Sequence, residues 1–155
     1  MELLRILRPV HWVKNVFVLA ALVFSRQLVG PPEEVLAAVG QAVGAFLCFC
    51  LASSAIYIIN DIMDRKTDSI HPDYRSRPIA SGQVTVRAAG IVALACAVPA
   101  LVGSLLLSPG LTAIILVYAG LMVLYSLALK HVMILDCVII AVGFCLRAGA
   151  GAVAI

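Results

Sequence analysis

Apolar residues run through this chain in long blocks rather than in alternation, and the breaks between blocks are short and sharply placed. Runs of about 20 apolar residues predict helices that cross a bilayer, because a helix satisfies its own backbone groups where water is absent. Residues 1–15 read as an interfacial segment: Arg5 among leucines makes a short amphipathic piece, and Trp12 beside Lys14 suits a membrane belt. Pro9 fits a first helical turn, so the first helix is expected to start near it. Its apolar block, 16–25, covers about half a bilayer and spans only with the interfacial residues and Leu28-Val29 included. Gly30-Pro31-Pro32 stops it, and Glu33 and Glu34 suit the start of a second, uncharged helix over 35–59. Beyond it, residues 60–87 form a polar loop. Thr85 is the expected N-cap of a third helix, which runs to about 107 with a kink at Pro99. Ser108-Pro109-Gly110 turns into a fourth helix over about 111–129, Lys130-His131 marks its exit, and a fifth starts near Met133. The fold class is therefore all-α: a single polytopic transmembrane helix bundle over 1–155, with about five helices.

Composition agrees with that reading. Apolar residues make up 63% of the chain and charged ones 12%, with a mean hydropathy of +1.11, far outside the soluble range. Residues 1–9 are too short, and too broken by Arg5 and Arg8, for the apolar core of a cleavable signal. Cys48, Cys50, Cys96, Cys137 and Cys145 all lie in or beside apolar blocks without a Cys-x-x-Cys spacing, so they read as small apolar fillers. Charge is distributed unevenly. Nine Lys and Arg fall on the side of the N-terminus, the polar loop and the fourth-to-fifth turn, and Arg26 stands alone on the other. The positive-inside rule then makes the N-terminus and the polar loop cytoplasmic.

The polar loop opens with Asn60, Asp61, Asp64 and Asp68. On a helix, residues three and four apart share a face, so these four oxygen-bearing side chains gather on one side. Hard oxygen ligands in that arrangement suit Mg²⁺, which takes a few carboxylates and completes its shell with water and substrate phosphates. The alternative is a solvated helix end paired to Arg65 or Lys66, but those two cations are adjacent in sequence and do not relieve the repulsion among the acids. Arg75 and Arg77 follow, and guanidinium forks match phosphate oxygens. Alone, such a pair reads equally as a topology signal or a headgroup contact; beside the acids it points to a diphosphate. Lys14 and Asn15, on the same side, offer a phosphate contact or an interfacial anchor. His71 is a candidate base or a solvated loop histidine. Arg147 lies deep in the fifth helix, eleven residues after Asp136, so Asp136, Gly143, Arg147 and Gly151 fall on one stripe. A charge at that depth should face the bundle interior or a wet cavity, paired with Asp136 or holding a substrate phosphate.

Asn60-Asp61-x-x-Asp64-x-x-x-Asp68 followed by Arg75-x-Arg77-Pro78-Ile79-Ala80-Ser81-Gly82 resembles the first aspartate-rich motif of UbiA-type intramembrane prenyltransferases. Arg8-Pro9-x-x-Trp12-x-Lys14-Asn15, His71-Pro72, Tyr125-Ser126-x-x-Leu129-Lys130 and Gly143-Phe144-x-Leu146-Arg147 look like its polyprenyl-phosphate phosphoribosyltransferase branch. The resemblance implies Mg²⁺-dependent transfer from phosphoribosyl diphosphate to a polyprenyl phosphate at the inner face of a bacterial plasma membrane. It implies that Asn60, Asp61, Asp64 and Asp68 serve Mg²⁺ and diphosphate, with Asp61 and Asp64 central to catalysis. Arg75, Arg77, Lys14 and Lys130 become candidate phosphate contacts. The expected partners are lipid and diphosphate substrates, not nucleic acid. The family has about nine helices and a second acidic motif, so this chain is expected to correspond to an N-terminal half, completed by a C-terminal half or by self-association.

Two other readings remain open at this point: a UbiA-type aromatic prenyltransferase using a polyprenyl diphosphate, and a membrane protein without enzymatic activity. The topology is testable directly. With the five native cysteines removed, an impermeant thiol reagent applied to intact cells should label a cysteine at position 108 and spare one at position 69. The opposite pattern inverts the orientation.

Overall fold

The computed structural model describes residues 2–129 and 133–155, with the backbone alone at 128, 129, 133, 134 and 136. All regular structure among the described residues is helical, as expected. A short α1, Glu2–Ile6, leads into a 3-10 stretch, Pro9–Leu19, which continues as α2, Ala20–Phe24. Then come α3, Pro32–Met63, and the short α4, Arg65–Ile70, followed by turns. The chain continues through α5, Val86–Leu107, and α6, Pro109–Leu124, which runs into a π-helical turn, Tyr125–Leu129. α7, Met133–Ala154, closes the bundle. Four helices, Pro32–Met63, Val86–Leu107, Pro109–Leu127 and Cys137–Ala154, are long and apolar enough to cross a membrane.

The first expected helix is not uniformly α-helical. A 3-10 helix rises about 2.0 Å per residue, so Pro9–Leu19 and α2 together cover about 30 Å, close to the hydrocarbon thickness. Its three-residue period also eclipses side chains at i and i+3. Trp12, Asn15 and Val18 therefore form one row against α3, with Asn15 and Val18 fully buried and Lys14 left exposed.

α3 is the spine. Pro32 at its start and Glu33 and Glu34 in its first turn favour nucleation there. Its 32 residues extend for about 48 Å, longer than a bilayer core, which carries Asn60 and Asp61 out to the polar edge. Alanines 38, 42, 45, 52 and 55 keep its surface thin, so α5, α6, α7 and the 3-10 stretch all reach it. Phe49, Leu111, Ile115 and Tyr118 fill the middle. A second cluster, Ile6, Ile58, Ile79, Val84 and Ala89, sits at the polar end and anchors the turn after α4 onto α3 and α5. Gly82, at φ +80, permits that turn, which Val84 closes by donating its N–H to the Pro78 carbonyl at 2.9 Å.

Thr85 caps α5 as expected, its hydroxyl accepting from the Ala88 N–H at 3.2 Å. Ser104 and Thr112 hydroxyls meet at 3.0 Å across the tight turn into α6. Leu94, Val98 and Leu105 of α5 and Leu116 and Val117 of α6 are exposed, an apolar outer face suited to lipid.

Gly151 marks the closest approach in the bundle. A Cβ there would run into the Val18 carbonyl, whereas one at Gly120 would meet open space. Gly151→Val should therefore lower stability in detergent by about 1–3 kcal/mol or prevent folding, as overpacking does. Gly120→Ala should be neutral or stabilising by up to about 1 kcal/mol. Thermal unfolding of the purified chain checks both.

Candidate active site

The polar end of α3 carries the first cluster. α3 breaks at Asp64 (φ −84°, ψ 0°), yet its hydrogen-bond register continues: Asp64 donates to Asn60 at 2.9 Å and Asp68 to Asp64 at 2.8 Å. The four expected ligands thus keep helical spacing across the break. Asp61 and Asp68, seven residues apart, lie on the same face two turns apart. Both are buried and both reach Arg77, whose Nη1 donates to Asp68 Oδ2 at 2.7 Å and to Asp61 Oδ1 at 3.3 Å. The Arg77 guanidinium also lies over the Tyr74 ring, 4.2 Å from its centroid. Burial of Pro78 and Ile79 immediately after it fixes where Arg77 starts.

Asp61 has a second partner, Arg8, for which the sequence predicted no site role. Arg8 Nη2 donates to Asp61 Oδ1 at 2.6 Å, and its guanidinium carbon lies 5.5 Å from the Tyr57 ring centroid. Arg8 adopts left-handed backbone angles, φ 50° and ψ 56°, unlike any other described non-glycine residue. Such a conformation costs an L-residue about 1–2 kcal/mol, a strain that the surrounding contacts must hold in place. A cavity of about 890 Å³ opens beside it, lined by Glu2, Arg5, Arg8, Asp61, Tyr74 and Arg77 together with apolar residues of α1, and Arg5 is itself paired with Glu2 at 3.0 Å.

Of the expected phosphate contacts, Arg75 and Lys14 are exposed and Lys130 lies outside the described residues; of the expected metal ligands, Asn60 and Asp64 are half-buried. His71 is exposed and stacks on Tyr74 at 4.5 Å between centroids.

Asn15 and Arg147 belong to a separate cluster, in mid-bundle. Arg147 donates from Nε to Asn15 Oδ1 at 2.9 Å, from Nη1 to the Gly143 carbonyl at 2.8 Å, and from Nη2 to the Tyr118 hydroxyl at 2.9 Å. Rings of Phe49, Tyr118 and Phe144 surround the cation at 4.9–5.8 Å. Asn15 passes the network on, donating from Nδ2 to Ser53 Oγ at 3.1 Å and Cys50 Sγ at 3.3 Å. No carboxylate pairs with Arg147 among the described side chains; that of Asp136 lies outside them. Among the described residues, carbonyl and hydroxyl dipoles and aromatic quadrupoles face the charge. Ser126, in the π-helical turn, is buried with no hydrogen-bond partner for its hydroxyl among the described residues.

Tyr118, Ser53 and Arg8 carried no spacing signal linking them to the acids or to Arg147. A polar residue inside an apolar block, as at Ser53 and Tyr118, was the available clue.

Among the described residues, no three of His, Cys, Asp and Glu converge as ligands for a metal. That does not disqualify Mg²⁺, which needs only one or two carboxylates when phosphates and waters complete its shell. Asp61 and Asp68 already converge on one cationic nitrogen, that of Arg77, so the donor chemistry fits.

A bundle of long apolar helices with carboxylates and arginines meeting at one polar edge defines an integral membrane protein. A model of the UbiA prenyltransferase family matches residues 15–155, and the chain belongs to that family. Similar proteins include the decaprenyl-phosphate phosphoribosyltransferase of Mycolicibacterium smegmatis, 42% identical over 98% of this chain and 48% of that protein. Its counterpart in Mycobacterium tuberculosis is 39% identical over 96% of this chain and 49% of its own. The chain thus spans about half the length of the curated relatives it matches. In fold it is similar to a digeranylgeranylglyceryl phosphate synthase, with a TM-score of 0.82 at 21% identity, over 99% of this chain and 54% of that one. A UbiA homologue from Archaeoglobus fulgidus bound to GPP and Mg²⁺ gives 0.74 at 21% identity, with the same coverage.

The mid-bundle network predicts a coupling. Tyr118→Phe should cost about 1.5–3 kcal/mol, as loss of a hydrogen bond to a charged group does. In an Arg147→Met background, the same change should cost much less. Denaturant unfolding of the four proteins in detergent measures the cycle, and additive costs would mean that the two side chains act independently.

Proposed function

We propose that the protein takes part in Mg²⁺-dependent transfer of a phosphoribosyl group from phosphoribosyl diphosphate to a polyprenyl phosphate. The reaction would take place at the cytoplasmic face of a bacterial inner membrane. The observation that carries the reading is the convergence of Asp61 and Asp68 on Arg77 at the polar edge of an apolar bundle. The matched relatives named for this activity support it. Because the chain spans about half their length, the activity is that of the assembled protein. A C-terminal half or a second copy would supply the facing wall.

In this reaction the bond between the ribose anomeric carbon and the diphosphate oxygen breaks. A bond from that carbon to a lipid phosphate oxygen forms, and diphosphate leaves with the electron pair. The chief demand is stabilisation of the departing charge, so a strong general base is not required. Mg²⁺ held by Asn60, Asp61, Asp64 and Asp68 would neutralise part of that charge. Arg77 is placed to take more of it, with its fork already oriented by Tyr74 and Asp68. Arg75, Lys14 and Lys130 would add cations around the same edge. Apolar residues of α1 on the cavity wall offer a seat for the first isoprene units of the lipid.

Asp61→Asn and Asp64→Asn in the assembled protein should each reduce transfer of labelled phosphoribose to decaprenyl phosphate by about 10²-fold or more. Membrane insertion should be unaffected, because acids at the interface contribute little to spanning. Full Mg²⁺-dependent activity in Asp64→Asn would remove Asp64 from the ligand set. Transfer from a prenyl diphosphate, with none from phosphoribosyl diphosphate, would replace the donor.

A further inference from the structure

The cavity beside Asp61 is walled by more cationic donors than its carboxylates can use. Arg8 and Arg77 donate to the same oxygen, Asp61 Oδ1, at 2.6 and 3.3 Å, and each guanidinium has five N–H groups. A divalent cation that takes Asp61 as a ligand competes for the lone pairs now held by Arg8 and repels its charge. The Arg8 backbone stays pinned on both sides, its N–H to the Arg5 carbonyl at 3.2 Å and its carbonyl to the His11 N–H at 2.9 Å. Its left-handed angles therefore fix the root of the side chain at the rim of the cavity, while the side chain itself is 24% exposed and able to swing. Strained backbone of this kind persists where function and surroundings require it.

We propose that Arg8 is an exchangeable counter-ion: it neutralises Asp61 while no divalent cation is bound, and turns into the cavity to bind a substrate phosphate once the cation takes Asp61. The inference rests on the Mg²⁺ reading above and adds a role for Arg8, a residue that the acid cluster does not mark and for which the sequence predicted no site role. Arg77 cannot play this part as readily, because it also holds Asp68 at 2.7 Å and lies over Tyr74. The phosphate belongs either to a soluble diphosphate or to a lipid phosphate, which share the chemistry that a guanidinium recognises.

The two halves of the exchange have opposite signs, which separates them from a merely structural role. In the assembled protein in detergent, Arg8→Gln should bind Mn²⁺ about tenfold more tightly in the absence of phosphate, because one charge-assisted hydrogen bond no longer competes. With Mg²⁺ present, the same variant should bind either inorganic pyrophosphate or farnesyl phosphate about tenfold more weakly. Loss confined to one of these ligands identifies the source of the phosphate. Mn²⁺ binding is read by electron paramagnetic resonance and the anions by calorimetry. Folding is monitored through the single tryptophan, Trp12, which donates to Ser54 Oγ at 3.0 Å, itself bonded to the Leu7 carbonyl beside Arg8.

If Arg8→Gln does not fold, Asp61→Asn decides the matter. It releases Arg8, so pyrophosphate binding without metal should rise several-fold, and no rise overturns the exchange. Unchanged or weaker Mn²⁺ binding in a folded Arg8→Gln, or no loss of either phosphate ligand, overturns the exchange and leaves the Mg²⁺ reading standing. Absence of Mn²⁺ binding in both wild type and Arg8→Gln overturns both.

Discussion

Charge inside an apolar bundle must be answered by groups of the protein itself, and that requirement organises this structure at two levels along α3. In mid-bundle, Arg147 is answered by Asn15, Tyr118 and the Gly143 carbonyl, and Asn15 in turn by Ser53 and Cys50. At the polar edge, Asp61 is answered by Arg8 and Arg77, and Asp68 by Arg77. Both networks join the N-terminal segment to α3. Each then recruits a distant part of the chain: α7 in one case, the turn after α4 in the other. An unpaired charge at either level would be costly, so the pairings select which elements meet.

The two networks differ in what they can do. Among the described residues, neutral dipoles and rings surround Arg147, which suits a brace between the 3-10 stretch and α7. The polar-edge network is open to a cavity of about 890 Å³ and contains cations whose present partners are carboxylates. On the exchange proposed above, those pairs would give way to a metal ion and a phosphate. The brace therefore keeps the spine and the first segment in register, and the edge is left free to change partners.

Much of this was legible in the amino-acid order. Thr85 announced the start of α5, the Gly30-Pro31-Pro32 break set the entry to α3, and Ser108-Pro109 set the turn into α6. These are local effects of capping, proline geometry and hydrophobic run length, and they survive whatever the rest of the chain does. The acid spacing at 60, 61, 64 and 68 was equally local, and the register it assumed continues across the break at Asp64. The depth of Arg147 in an apolar block correctly predicted that it faces inward.

What the sequence could not determine were the partners. Arg8 meets Asp61 across 53 positions and Arg147 meets Asn15 across 132, and no periodicity connects residues so far apart. Asn15, read with Lys14 as a surface phosphate contact, is turned inward because the 3-10 period places it in the row of Trp12 and Val18. That period itself arises where the segment packs on α3, since its composition is equally compatible with an α-helix. Helical runs and caps depend on forces acting within a few residues, so the sequence alone determined them. Which polar group satisfies which buried charge depends on how the helices come together, and only the tertiary structure decided that.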